Sequence, residues 1–255
     1  MHKPIASIRT DAAAVETYAC PHHATNHGDD TMKLYYHPVS TTSRPIMLLA
    51  AHENIPLDYE VVDLMTGAHF QTPFSGINPC QQVPVLEDGD FRLTESSAIL
   101  KYLADKTGSA SYPKDLRKRS RVNERMDWFN TGFYRELGYG VIYPQILPNY
   151  KREDAAVQSA HLAWGCEKAR RWLTILDQHI IGSNAYVCGN ELTIADYLGI
   201  CMLTLGEVTR FDYAEWKNVS RWMATMKEGP HWSQVHETFY AHFVAAYRGA
   251  EFVSV

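Results

Sequence analysis

The chain has 255 residues, 45% hydrophobic and 21% charged, enough to fill a sizeable core without disulfide or metal staples. Its formal net charge of −5 lacks the basic surplus that nucleic-acid or anionic-membrane binding needs. The cysteines Cys20, Cys80, Cys166, Cys188 and Cys201 are odd in number with no C-x-x-C pair, and no long apolar run is free of charge; this argues against a disulfide framework, a zinc site or a membrane span, and for a reducing compartment.

Residues 1–31 show no period and no apolar stretch of the secretory kind, so they are expected to be a disordered polar extension. Cys20, His22, His23 and His27 carry metal-ligand chemistry there, but a floppy tail without metal is the favoured reading. Met32 stands directly before the first strand-like segment and is a candidate natural start.

From there the order is strand, helix, strand, loop, strand, strand, helix. Lys33–His37 is short, aromatic and bounded by Pro38, as strands are. Ser43-Arg44-Pro45 opens a helix carrying Ile46 to Ala51, with Ser43 as the expected N-cap. Tyr59–Asp63 and Val83–Glu87 read as the second and third strands. Asp88-Gly89 signals a hairpin into Phe91–Leu93, and a helical face with Ala98, Ile99, Tyr102 and Leu103 follows. This pattern predicts a small mixed sheet with helices. Residues 109–118 are polar and contain Pro113, as a linker does. Beyond them come only helical stretches, at about 115–140, 153–180, 193–208, 215–227 and 231–247. Thr193-Ile194-Ala195-Asp196 has capping-box spacing, with Asp in place of the usual Glu.

Three segments of the first part carry chemistry. In Tyr35 to Pro45 a hydroxyl-rich turn sits between strand and helix, beside the positive end of that helix, which favours anions. In Asn78 to Leu86, Pro84 cannot donate to a central ladder, and a cis bond after Val83 would present an edge for an extended peptide. In Thr94 to Leu100, Glu95 and the hydroxyls of Ser96 and Ser97 meet a helix N-terminus, a place for both a ligand amine and a ligand carboxylate.

Together, in this order, the segments resemble the glutathione transferase family, most closely its serine-type theta and delta classes and the bacterial theta-like dehalogenases. The likeness runs from Met32 to about Tyr247 and is carried by Tyr35 to Arg44, Asn78 to Leu100 and Gly189 to Asp196. The resemblance implies an α/β thioredoxin-like N-terminal domain (32–108), a linker (109–118), an all-α helical C-terminal domain (119–255) and a homodimer. It implies glutathione as co-substrate, no metal, and a cytoplasmic enzyme that acts on hydrophobic electrophiles by conjugation or dehalogenation. Ser40, four residues before Arg44, then matches the serine that activates the thiol, with Tyr36 as the alternative. His69 and Gln82 match positions at the glycyl end, Val83 pairs with the cysteinyl backbone, with Pro84 after it in the same binding segment, and Glu95 and Ser96 hold the γ-glutamyl group. Phe70, where theta enzymes often have Lys, and the Cys80-Gln81 pair depart from the pattern. Tyr134 and Tyr139 are the pocket candidates for the second substrate.

Ser40 needs no base, because its expected task is to donate a hydrogen bond. A free thiol has a pKa of about 8.5, and each unit of lowering takes about 1.4 kcal/mol, within reach of one charge-assisted hydrogen bond. Two other readings stay open. A glutathione-dependent peroxidase or reductase would keep a cysteine in the strand-to-helix turn, where this chain has none. A non-catalytic glutathione or hydrophobic-ligand binder would need no ionised thiol.

Overall fold

The computed structural model describes residues 31–254. The proposed tail and its Cys20, His22, His23 and His27 cluster lie outside them, apart from Thr31. The described chain falls into two compact units, one of residues up to 37 plus 56–95, the other of residues 38–55 plus 96–255.

The first unit is built on a four-stranded sheet of β1 (Met32–Tyr36), β2 (Leu57–Val61), β3 (Val85–Asp88) and β4 (Phe91–Leu93), in the order β2-β1-β3-β4. β1 runs parallel to β2 and antiparallel to β3, and β3 and β4 form a hairpin. The hairpin loop is Gly89-Asp90, one residue later than expected, with Gly89 at φ 60°, a conformation that favours glycine. β2 lies two residues earlier than its sequence suggests, because its ladder with β1 pairs Met32 with Leu57 and Tyr36 with Val61. That register sets Asp58 and Glu60 on one side, where Lys33 of β1 meets both carboxylates. Tyr35, Val62, Phe74, Val83 and Val85 form an apolar cluster in this unit, with a short α2 (Phe74–Ile77) supplying Phe74.

The second unit is helical. It contains α1 (Arg44–Glu53), α3 (Ser96–Thr107), α4 (Leu116–Asp127), α5 (Tyr143–Ile146), α6 (Ala155–Ile175), α7 (Ile194–Thr204), α8 (Lys217–Lys227) and α9 (Trp232–Thr238). Each of the five helical stretches expected after residue 109 is present within a few residues. What the 3.6-residue period does not announce is the π-helical turns that join α4 to α5 over Trp128–Phe133 and Arg135–Ile142 and that extend α6 and α9. α7 is buried along its whole length, and the capping box forms as expected. Asp196 accepts from the Thr193 backbone and hydroxyl (both 2.9 Å), from Val187 N (2.9 Å) and from Trp222 Nε1 (3.0 Å). α6 meets the second π segment so closely that a Cβ on Gly165 would overlap the Gly140 carbonyl.

Strand pairing and element order are those of a thioredoxin-like α/β domain followed by an all-helical domain.

Candidate functional site

The turn after β1 has an arrangement that sequence alone misassigned. Ser43, the expected N-cap of α1, already has helical backbone angles, its side chain makes no capping bond, and its Oγ is buried without a partner among the described residues. Ser40 performs the capping instead. Its Oγ accepts from Thr42 N (3.3 Å) and Ser43 N (3.2 Å), and its carbonyl accepts from Ser43 N (3.2 Å) and Arg44 N (3.1 Å). The reason is geometric: a cap needs non-helical angles, and Ser43 already has helical ones. Ser40 Oγ also lies 3.1 Å from Thr42 Oγ1. Either hydroxyl can donate in that contact, and with two backbone N–H groups already on its lone pairs the Ser40 O–H is its remaining hydrogen-bonding function, which a ligand acceptor could take in place of Thr42. Two backbone N–H groups drawing on the same oxygen make that O–H a stronger donor.

The side chain of Thr41, next in the chain, lies close enough to the Tyr134 and Tyr143 hydroxyls to favour their ionised forms slightly. The hydroxyls of Tyr134 and Tyr143 bond each other. Tyr139 packs edge-on to both, at ring separations of 5.2 and 5.0 Å, and Tyr150 closes the group at 5.5 Å from Tyr139. The i→i+5 register of the π turn brings Tyr139 round to the side of Tyr134. Gly138 makes room for it, since a Cβ there would stand 2.8 Å from the Tyr134 ring. Burial pushes the Tyr134 and Tyr143 phenols up, so both stay protonated donors at neutral pH. Both pocket candidates, Tyr134 and Tyr139, thus belong to one cluster that touches the residue beside Ser40. Thr41 and Tyr143 are members that sequence reasoning did not single out. A hydroxyl in a helix-start segment, some ninety residues away in the chain, carries no local signal of such a contact.

Other expected residues lie in the sheet unit. Tyr36 is buried at the end of β1 with its ring 5.1 Å from Tyr59, a strand packing position. His69 is half-buried in the short helical turn Ala68–Phe70, with its ring tilted against Phe70 at 3.8 Å. Its Nδ1 has no partner among the described residues, and burial holds its pKa down. Neighbouring His37, buried, is pushed down to about 4, chiefly by desolvation, with Asp63 opposing. Gln82 is exposed, with its carbonyl accepting from Asn78 Nδ2 (2.7 Å). Val83 and Pro84 are buried and joined by a cis peptide bond. Glu95 is exposed and left-handed at φ 65°, a conformation costing a non-glycine residue on the order of 1 kcal/mol. Ser96, buried, is the first residue of α3 and belongs to the helical unit.

Among the described residues no three or more His, Cys, Asp or Glu side chains group to hold a metal ion, and no helix is long and apolar enough to cross a membrane. Cys80, Cys166, Cys188 and Cys201 are free thiols.

Residues 30–105 match the family Glutathione S-transferase, N-terminal domain, and residues 154–230 match Glutathione S-transferase, C-terminal domain. The chain is 32% identical to glutathione S-transferase theta-1 of Homo sapiens over 174 residues, 68% of this chain and 72% of that protein; the Bos taurus counterpart is 33% identical over the same shares. Among solved structures it resembles a delta-class glutathione transferase of Nilaparvata lugens, with a TM-score of 0.72 and 29% identity over 85% of this chain and 98% of that one. It also resembles human glutathione-S-transferase T1-1, with a TM-score of 0.70 and 27% identity over 82% and 89%. With both domains matched and theta-class relatives across two thirds of its length, the chain belongs to the glutathione S-transferase family.

Proposed function

We propose that this protein is a glutathione transferase that holds the glutathione sulfur as thiolate at Ser40 and directs it at a hydrophobic electrophile, by conjugation or by displacement of halide. The observation that carries this reading is the Ser40 turn. Its Oγ accepts from two backbone N–H groups at the start of a helix, which leaves the O–H as its one donor function, open to a sulfur in place of Thr42 Oγ1. A sulfur accepting that hydrogen bond gains stability only as the anion, and the thiolate is the nucleophile. The proton leaves to solvent on binding, sulfur attacks the electrophilic carbon, and halide departs or the addition product is protonated.

Glu95 and Ser96 hold the γ-glutamyl end in this reading, Val83 and Pro84 face the cysteinyl backbone, and His69 and Gln82 serve the glycyl end. The left-handed Glu95 supports this, because strained backbone is retained where it positions a functional group. Tyr36, packed in β1, has no part in the chemistry. Tyr134 and Tyr139 line the second-substrate pocket, where aromatic walls suit an apolar electrophile and phenol O–H groups suit a departing anion. The working form is a homodimer in the cytoplasm, to which the unpaired thiols are suited.

Adding glutathione to the wild type should produce thiolate absorbance at neutral pH, and Ser40→Ala should abolish most of it while still binding the tripeptide. Full thiolate signal in Ser40→Ala with loss in Tyr36→Phe would reassign the role. Binding without any thiolate signal would favour the non-catalytic reading.

A further inference from the structure

Arg44 is a cation in the interior of the helical unit. It is 0% exposed. Its Nη1 donates to Thr204 Oγ1 (3.0 Å) and its Nη2 to the Cys201 carbonyl (3.4 Å), both on α7. The guanidinium carbon lies 3.8 Å from the centre of the Phe239 ring, and Nε has no acceptor among the described residues. Each of these partners is neutral.

The ionisable groups around it do not cancel the charge. Cys201, Tyr240, Tyr143, Glu207 and His236 are within electrostatic reach. Burial pushes Cys201 up to about 12, raises Tyr143 and Tyr240, and pushes His236 down to about 2, so all four are neutral near pH 7. Glu207 is the acid, and it is already ion-paired with Lys227. Desolvating a guanidinium without a bonded carboxylate is strongly disfavoured, and such groups concentrate where chemistry needs them.

Its place in the chain is equally specific. The Arg44 N–H donates to the Ser40 carbonyl (3.1 Å), so the residue closes the first turn built on Ser40. Its charge also acts on Tyr143, whose hydroxyl contacts Thr41 beside Ser40.

We infer that Arg44 is a positioning residue for the thiol chemistry: its unneutralised charge, held on the interior side of the Ser40 turn by α7 and the Phe239 ring, favours a negative sulfur at Ser40. This rests on the reading that glutathione binds there as thiolate. It differs from the effect of a helix end alone. Partial charges at an exposed helix end are screened by salt, whereas an interior charge is screened far less.

The test titrates bound glutathione by thiolate absorbance in the wild type, Arg44→Met, Arg44→Lys and Phe239→Leu. Methionine keeps the apolar packing and removes the charge, and should raise the bound thiol pKa by about one unit or more. Arg44→Lys should titrate close to wild type, and Phe239→Leu should unfold more readily without moving the thiol pKa. A folded Arg44→Met that titrates like wild type overturns the inference. So does a Phe239→Leu shift as large as that of Arg44→Met, which would reduce Arg44 to a packing residue. If Arg44→Met does not fold, the wild type decides: its bound thiol pKa should hold between about 0.05 and about 1 M NaCl, and a return toward the free value at high salt overturns the inference. Glutathione that stays protonated in the wild type, or fails to bind, refutes the thiolate reading itself and takes this inference with it.

Discussion

The two units differ in how deeply they place charged side chains. In the sheet unit Gln82 and Glu95 are exposed, His69 is half-buried, and the ion pairs of Lys33 with Glu60 and of Arg92 with Glu87 lie at the surface. In the helical unit Arg44, Asp196 and His236 are fully buried, each with specific partners. Exposed pairs contribute little to stability, whereas a buried polar group left without its partner is expensive. The sheet unit therefore keeps its ion pairs at the surface, where they contribute little, and the helical unit also uses a guanidinium and a carboxylate inside its core to hold α1 and α7 in place.

The largest effect expected from this contrast is at Asp196. Replacing it with alanine removes four accepted hydrogen bonds inside the core and should cost about 3–5 kcal/mol in chemical denaturation. A loss below about 1 kcal/mol would break the comparison outright. Next comes Ser40→Ala, which should lower turnover about 100-fold near neutral pH, as loss of a charge-stabilising donor does. Its stability should fall by only about 1 kcal/mol, the worth of a helix cap.

A third expectation separates the units by pH. His236 is pushed down to about 2 in the folded protein, by burial first and by Arg44 second. A depressed histidine contributes stability that is present above its unfolded pKa of about 6.5 and is lost as pH falls through the window down to the folded value, by up to about 1.4 kcal/mol per pH unit. His236→Leu should flatten the acid limb of unfolding free energy against pH. His37 has the same sign over a shorter window, to about 4, so the remaining slope should end there. An unchanged acid limb would show that His236 is not desolvated. The smallest effect is expected at Tyr36→Phe, with turnover within a factor of about two of wild type, because that ring packs in β1 against Tyr59.

Much of this was legible in the sequence, for identifiable reasons. Strands and helices announced themselves by period, and the Thr193–Asp196 cap by its spacing. Ser40 stands out through the resemblance carried by the Tyr35–Arg44 segment, but its bracing by Thr42 N and Ser43 N has no such signal. Ser40 and Ser43 are equally good caps on paper, and only backbone angles decide between them. The π turns escaped notice because one extra residue per turn barely disturbs a hydrophobic period. Burial of Arg44 was likewise hidden, since a charge flanking an apolar run ordinarily faces water. The contact of Thr41 with Tyr134 and Tyr143 is purely tertiary and has no sequence signature.

Gly140 and Gly165 let α6 lie backbone against backbone on the segment that carries the tyrosines, and a single methyl group at Gly165 would wedge the two apart. If the tyrosine cluster receives the second substrate as proposed, its size is more readily altered by trimming or swapping aromatic tips than by separating the two helices.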